Sequence, residues 1–454
     1  MAAGSILSPA VLQQLFASDT PRSPVLDPLA PKVPHFPAKA KRVIFLFMSG
    51  GVSHVDSWDP KPKLFSQAGK EIRVDEYQGR KGDFKMFLNR PGWEFQPHGQ
   101  SGTEVSTLFP HMAECVDDLC VIRSMQSNHT NHYEATLGIH TGSFTFARPS
   151  IGSWVSYGLG SENHNLPSFI VIAPETPYAG NQVWASDFLP GANQGTLVVP
   201  GAEPVANIRR RANSPHLQEL ELQGIQRMNR RHLGNRPHDP LLNARLRSFE
   251  TAFGMQAEVP ELFDLSRETD ATHKLYGLER GSTKGFAWQC LVARRLAERG
   301  VRFIELIDSG SSNNWDSHSD MSAHGPLAKN VDRAVSGLLR DLKSRGMLED
   351  TLVVWTTEFG RTPFNSTADH KGREHHHWVF SSWLAGAGVR PGTVYGESDP
   401  YGIQVARDPV PMHDFHATLL HLMGMDHERL TYNHTGRDYR LTDVAGNVVR
   451  GILA

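Results

Sequence analysis

The chain has 454 residues, with 46 Lys+Arg against 48 Asp+Glu and a formal net charge of −2. At roughly 100–200 residues per domain, that length suits two or three domains, or one large α/β unit with insertions. The balanced charge excludes a nucleic-acid binder driven by bulk electrostatics, and no run of 18 apolar residues exists to cross a membrane.

In chain order, residues 1–41 carry seven prolines and read as a linker or a surface-hugging arm. Ile6–Ala17 is weakly apolar but lacks a basic n-region. It is the remnant of an export signal if the true start lies upstream, which would make the protein exported or periplasmic. Otherwise the protein is expected in the cytoplasm. Arg42–Met48 (RVIFLFM) predicts a buried central strand running into Gly50-Gly51. Residues 60–110 are polar and turn-rich, an insertion. Ser168–Ile172 predicts a strand. Residues 205–285 are charged and helix-prone, a second insertion forming a peripheral layer. Then come a helix over Phe286–Arg299, a strand over Val301–Ile307, and a helix carrying Leu327, Val331, Val335, Leu338 and Leu342. Thr351–Thr357 and Val379–Leu384 read as strands, and Phe415–Met423 as a last helix. Strands alternating with helices predict a mostly parallel sheet covered on both faces, in a single domain over 42–454.

Such sheets place ligands at the carboxyl ends of their strands. Three polar clusters follow predicted strands directly. The first holds Gly50, Gly51, Ser53, His54, Asp56 and Asp59. The second holds Asn313, Asn314, Asp316 and His318, where Asp-x-His suits a cation taking mixed oxygen and nitrogen ligands. The third runs from Glu358 and Arg361 to Arg373 and His375-His376-His377. Three successive histidines cannot all face one point, so one or two are expected as ligands. Guanidinium groups suit bidentate grip on an oxyanion. A fourth cluster, Asn128, His129, Thr130 and His132, precedes a predicted helix, where anions are favoured. The three cysteines, Cys115, Cys120 and Cys290, form neither a disulfide framework nor a zinc ribbon.

The blocks FLFMSGGVSHVDSWDPKP, NHTNHYEATLGIHTG, RPSIGSWVSYGLG, NNWDSH, LEDTLVVWTTEFGRTP, GREHHHW and DFHATLLHLMG resemble the bacterial domain-of-unknown-function 1501 family. That resemblance implies the alkaline-phosphatase-like superfamily of phosphatases and sulfatases: an α/β sandwich, one or two divalent metals (Zn, Mn, Mg or Ca), and phosphate or sulfate ester chemistry. By resemblance, Asp316 and His318 match the superfamily's metal pair, and Glu358 stands where an Asp ligates a second metal. Phe359 stands where a His follows it, and His375 is the candidate third histidine. Gly50 replaces the Asp that ends the first strand, leaving His54 and Asp56 to substitute. His132 occupies the nucleophile's place, with Thr130 the nearest hydroxyl. No Cys block of the formylglycine sulfatase type is present.

The expectation is therefore a metal-dependent hydrolase of a small-molecule or saccharide ester. His54, Asp56, Asp316, His318, Glu358 and His375 would bind metal. His132 and Thr130 would be catalytic. Ser53, Asn128, Arg361 and Arg373 would bind substrate. The alternative is a member without turnover that binds an anion such as a sulfated glycan, or serves in an exported complex.

Overall fold

A computed structural model describes residues 29–208, 214–234 and 240–454. Ile6–Ala17 lies outside the described residues. Among the described residues, nine strands form the central sheet: β1 (Arg42–Phe47), β2 (Leu119–Gln126), β3 (Phe169–Ile172), β4 (Thr196–Val198), β5 (Phe303–Ile307), β6 (Thr351–Thr356), β7 (Phe380–Ala385), β8 (Thr393–Tyr395) and β9 (Val410–Pro411). Their order is β8-β2-β7-β6-β1-β5-β3-β4, with β9 also on β2. The sheet is mixed. β7 runs antiparallel to both neighbours, β6 and β2, while β1, β3, β5 and β6 pair in parallel.

Period-two alternation sends successive side chains of each strand to opposite faces. Ile44, Leu46, Val353 and Trp355 enter one core. Val43, Phe45, Phe47, Leu352 and Val354 enter the other. Such strands are apolar throughout because both faces are covered. Helices α3 (Phe286–Glu298) and α4 (His324–Ser344) close the first face, α4 through Val331, Val335, Leu338 and Leu342. Helices α1 (His132–Thr141), α2 (Ile151–Leu159) and α5 (Met412–Leu422) close the second. Each such Val or Leu contributes about 1.5–3 kcal/mol by leaving water.

Residues 60–110 contain two antiparallel hairpins, Glu71–Tyr77 with Arg80–Leu88 and Phe95–His98 with Thr103–Ser106. Within 205–285 the described residues form helices Pro215–Gly234, Pro240–Phe263 and Asp270–Tyr276. The proline-rich arm, from Leu29 onward, docks on the second face. Lys32 N donates to Leu159 O (3.0 Å), and Lys39 N and Ala40 N donate to Leu422 O. Among the described residues, no helix is long and apolar enough to cross a membrane.

The register decides what the sheet presents at its carboxyl edge. Phe47 of β1 lies level with Thr356 of β6 and Ile307 of β5. The loops after these strands therefore leave from one line. The reversed β7 begins at Phe380, opposite Met125 of β2. Residues just before β7 thus reach the same edge as residues just after β2, and Ser127 N donates to His377 O (2.9 Å).

Candidate metal centre

Gly50 and Gly51 turn the chain away from β1 with φ of 111° and 80°. A Cβ on Gly50 would stand 2.7 Å from the backbone nitrogens of both Trp315 and Asp316. Only glycine lets the loop after β5 come this close. Gly50 N then donates to Glu358 Oε1 (2.9 Å), tying the loops after β1 and β6 together.

Helix α1 starts at His132, with Asn131 capping it by accepting from Tyr133 N (2.9 Å). An imidazole–carboxylate pair fixes each end of the helix to the sheet. His132 Nδ1 meets Glu358 Oε1 at 2.6 Å, and His140 Nε2 meets Glu305 Oε1 at 2.7 Å. Tyr178 stacks on the His132 ring, centroids 4.3 Å apart.

Four side chains converge on one oxygen, Asp316 Oδ1. His318 Nε2 is 2.9 Å away, His132 Nε2 3.2 Å and His375 Nε2 3.3 Å, and Arg361 donates from 2.5 Å. His318 Nε2 and His375 Nε2 face each other at 3.0 Å. His132, Asp316 and His375 offer ligand atoms that all lie within 4.8 Å of one another.

The opposite ring nitrogens explain what the centre can hold. His132 Nδ1 is on the Glu358 carboxylate, His318 Nδ1 on Glu374 Oε2 (2.8 Å), and His375 Nδ1 on the Thr130 carbonyl (2.7 Å). Ionised carboxylates and carbonyls only accept, so each Nδ1 carries the proton. In a neutral ring, each Nε2 is then a lone pair. Three lone pairs aimed at one carboxylate repel unless protons or a cation sit among them. His132 Nε2 is buried, and its 3.2 Å approach to Asp316 Oδ1 lacks hydrogen-bond alignment. Metal-bound histidines characteristically anchor the other ring nitrogen this way. Ligand distances of about 2.0–2.2 Å would place tetrahedral ligand atoms about 3.3 Å apart, near the 2.9, 3.2 and 3.3 Å that separate Asp316 Oδ1 from the three Nε2 atoms, although His318 stands outside the group whose atoms all lie within 4.8 Å. These residues fit a divalent cation.

Without a cation, the electrostatics register the same demand. Burial opposes charge on Asp316, yet the three histidines and Arg361 hold its carboxyl far below the usual range. Asp316 and Glu374 push His318 up to about 9. Burial resists protonation of His132, but Asp316 and Glu358 raise it overall, whereas burial keeps His375 low. The cluster is open on one side. The His318 side chain is 38% exposed, against 8% for His132.

The other expected residues stand elsewhere. Glu358 does not reach the convergence point. Its oxygens are engaged by His132, Gly50 N and the Thr357 hydroxyl, so it holds the His132 ring from behind. Asp56 accepts from Arg373 Nε (2.7 Å), Ser53 Oγ (2.5 Å) and Gly92 N (2.7 Å), a complete buried set with no valence facing the cluster. His54 Nε2 is on Gly402 O (2.9 Å), and its ring stacks on His376. Among the described residues, His54 and Asp56 belong to no group of ligand atoms close enough to share an ion. Arg373 also donates to Thr362 O and Arg90 O. Arg361 donates to Gly51 O (3.0 Å), Gly50 O and Arg373 O. Both guanidiniums are buried struts, not an open anion clamp. Asn128 is exposed. Thr130 contributes its carbonyl.

Glu374 and Tyr178 were not expected here. Glu374 was legible only as the residue next to His375. Nothing in the sequence tied Tyr178 to the site.

Together these features define an α/β protein with an imidazole–carboxylate centre at the carboxyl edge of a mixed sheet. The chain belongs to the family described as protein of unknown function (DUF1501), whose model matches residues 40–453. No curated protein matches it. Among solved structures it is similar to Ps i-CgsB in complex with k-i-k-neocarrahexaose, at 11% identity and TM-score 0.39, over 84% of this chain and 72% of that one. It is also similar to the lipoteichoic acid synthase LtaP from Listeria monocytogenes, at 10% identity and TM-score 0.37, over 91% and 79%. A third is the alkaline phosphatase from the Antarctic bacterium TAB5, at 12% identity and TM-score 0.32, over 81% and 96%.

Proposed function

We propose that this chain is a metal-dependent hydrolase of phosphate or sulfate esters, with His132, Asp316, His318 and His375 as its metal ligands. The observation that carries the reading is the shared orientation of the three imidazoles. Each Nδ1 is fixed to an acceptor and each Nε2 is directed at Asp316 Oδ1. A divalent ion there would act as a Lewis acid on an ester oxygen and lower the pKa of water at the site.

The chain's own residues do the rest. Glu358 and Glu374 fix the rings of His132 and His318, and Thr130 O fixes that of His375. Arg361 offsets the carboxylate charge. The open side at His318 admits the ester. The superfamily of phosphatases and sulfatases that the DUF1501 resemblance implies supports the substrate class. Thr130 faces the cluster only by its carbonyl, which favours attack by water over a covalent enzyme intermediate.

Arg361 donates to the very oxygen that the histidines face. That contact gives the carboxylate a counter-charge without an ion and favours a second reading, a member without turnover that only binds its ligand. Aryl phosphates and aryl sulfates, assayed with added Zn, Mn, Mg or Ca, separate the two. Hydrolysis that needs the metal and disappears in His318→Ala supports the hydrolase. Metal binding with no turnover of either ester class supports the binder.

A further inference from the structure

The second insertion carries a pair of long helices, Pro215–Gly234 and Pro240–Phe263. The second buries Met255, Val259 and Leu262 in the first core, at the i, i+4, i+7 spacing of one helix face. The loop after α2 holds it from the side. Asn165 Nδ2 donates to Glu258 Oε1 (3.2 Å), and Arg247 donates to His164 O (3.4 Å). The two helices run antiparallel, with Gln218 Nε2 donating to Gln256 Oε1 (2.7 Å) and Gln226 Nε2 to Glu250 Oε1 (3.3 Å). That pairing sets Ile225 and Met228 of the first helix level with Phe249 of the second, one turn from Phe253.

All four of these side chains are exposed, from 38% for Phe253 to 59% for Phe249. They are four of the twelve large apolar side chains exposed among the described residues. Single exposed apolar residues are ordinary, whereas a group of them marks a contact surface.

Positive charge gathers at the same place. Residues 222–249 hold six arginines and one acid, Asp239, in a chain whose formal net charge is −2. Arg230, Arg231 and Arg245 are exposed, and the Arg245 guanidinium lies over the Phe249 ring, 6.0 Å from its centroid. Arg230 and Arg231 near the end of the first helix complement that helix's dipole. Arg245 lies in the second turn of the second helix, where the dipole gives a cation no help.

An apolar group flanked by arginines suits few partners. A second copy docking about a two-fold axis would set this surface against itself, arginine to arginine. A nucleic acid offers phosphates but no apolar layer for Ile225 and Met228 to enter. An anionic bilayer offers both, phosphates at its surface and acyl chains beneath them.

We propose that the outer half of this helical pair docks on an anionic lipid surface: Ile225, Met228, Phe249 and Phe253 enter the boundary between headgroups and acyl chains, and Arg230, Arg231 and Arg245 meet the lipid phosphates. The contact is peripheral, as no helix among the described residues is long and apolar enough to cross a membrane. None of these residues belongs to the metal centre.

Co-flotation of the full-length chain with large unilamellar vesicles tests this, using phosphatidylcholine alone and phosphatidylcholine mixed with phosphatidylglycerol. The wild type is expected to float only with the anionic vesicles, and less at higher salt. Arg230→Gln with Arg231→Gln is expected to weaken partition about 30-fold, from about fivefold for each arginine near an anionic surface. Phe249→Ser with Phe253→Ser is expected to weaken it at least about tenfold while melting at the wild-type temperature. If that pair melts lower, Ile225→Ser with Met228→Ser replaces it. No flotation with the anionic vesicles, or flotation equal in the wild type and the variants, would overturn the proposal. So would flotation that only the arginine pair reduces, which is adsorption by charge alone. A wild-type dimer that the serine pair dissociates without lipid, or binding of duplex DNA in place of the vesicles, would overturn it in favour of those partners.

Discussion

At the scale of single residues, two buried carboxylates of similar appearance do different work. Glu358 and Asp56 are both fully buried, and both follow predicted strands. Glu358 orients His132, while Asp56 neutralises Arg373. Substitution separates the roles. Glu358→Gln keeps an acceptor in place but loses the charge that fixes the His132 ring. It is expected to weaken metal binding by about 10- to 100-fold, read by competition titration, with the fold retained. Asp56→Ala strands the buried Arg373 guanidinium. It is expected to cost about 3–5 kcal/mol in denaturant unfolding, with any correctly folded fraction binding metal normally. A loss of affinity in the Asp56 variant at unchanged stability would reverse these assignments.

The sequence spoke clearly about Asp316, His318 and His375, because carboxylate and imidazole groups after a strand have few other uses together. It set His54 and Glu358 beside them as ligands and His132 apart as a catalytic group, whereas the structure gathers His132 with Asp316 and His375. All three lie one loop from a strand end, and the choice depends on where each side chain points. His132 stands at the first position of a helix whose pinned ends turn that ring toward the cluster. His54 sits in a short 3-10 turn and faces Gly402 instead.

At the scale of elements, the centre depends on loops leaving a sheet edge in register. The main strands and helices were legible from their apolar runs and their 3.6-residue spacing, since burial on both faces leaves a simple pattern. Two features were not. β2 loses its apolar run at Arg123, Ser124 and Gln126, and the hairpins of 60–110 have exposed strands that alternate weakly. The reversal of β7 is invisible in the sequence, because pairing direction leaves no mark on a fully buried strand. It nonetheless delivers His375 to the edge where β2 delivers His132. The Gly50 approach packs the loop after β1 closely on the loop after β5. Gly50→Ala would demand an unfavourable φ and press a methyl into the backbone of Trp315 and Asp316. It is expected to cost about 1–3 kcal/mol and to weaken metal binding by displacing Asp316. Unchanged thermal stability and affinity in that variant would show that the loop relaxes freely.

At the scale of the whole molecule, buried neutral histidines set the response to acid. His416 packs in the second core with Nε2 on Ile139 O (2.7 Å), and burial drives its pKa down to about 3. Burial does the same to His324 and His376. The folded value lies below the unfolded value of 6.5, so the unfolded chain binds more protons between the two. The stability these groups contribute is complete above 6.5 and is lost as pH falls toward 3. Each such histidine is expected to add a slope of about 1.4 kcal/mol per pH unit across that window. Denaturant unfolding at stepped pH checks this, and His416→Gln is expected to flatten the profile. A profile unchanged by that substitution would mean that His416 is already protonated in the folded chain.

The most direct test of the central claim is the metal content of the chain, by elemental mass spectrometry after purification without chelator and after dialysis against divalent ions. His318→Ala is carried in parallel. The account predicts about one ion per chain, retained through buffer exchange and lost in the variant. A chain that takes up no ion under any of these conditions, or a His318→Ala chain that holds its ion as well as the wild type, would contradict it.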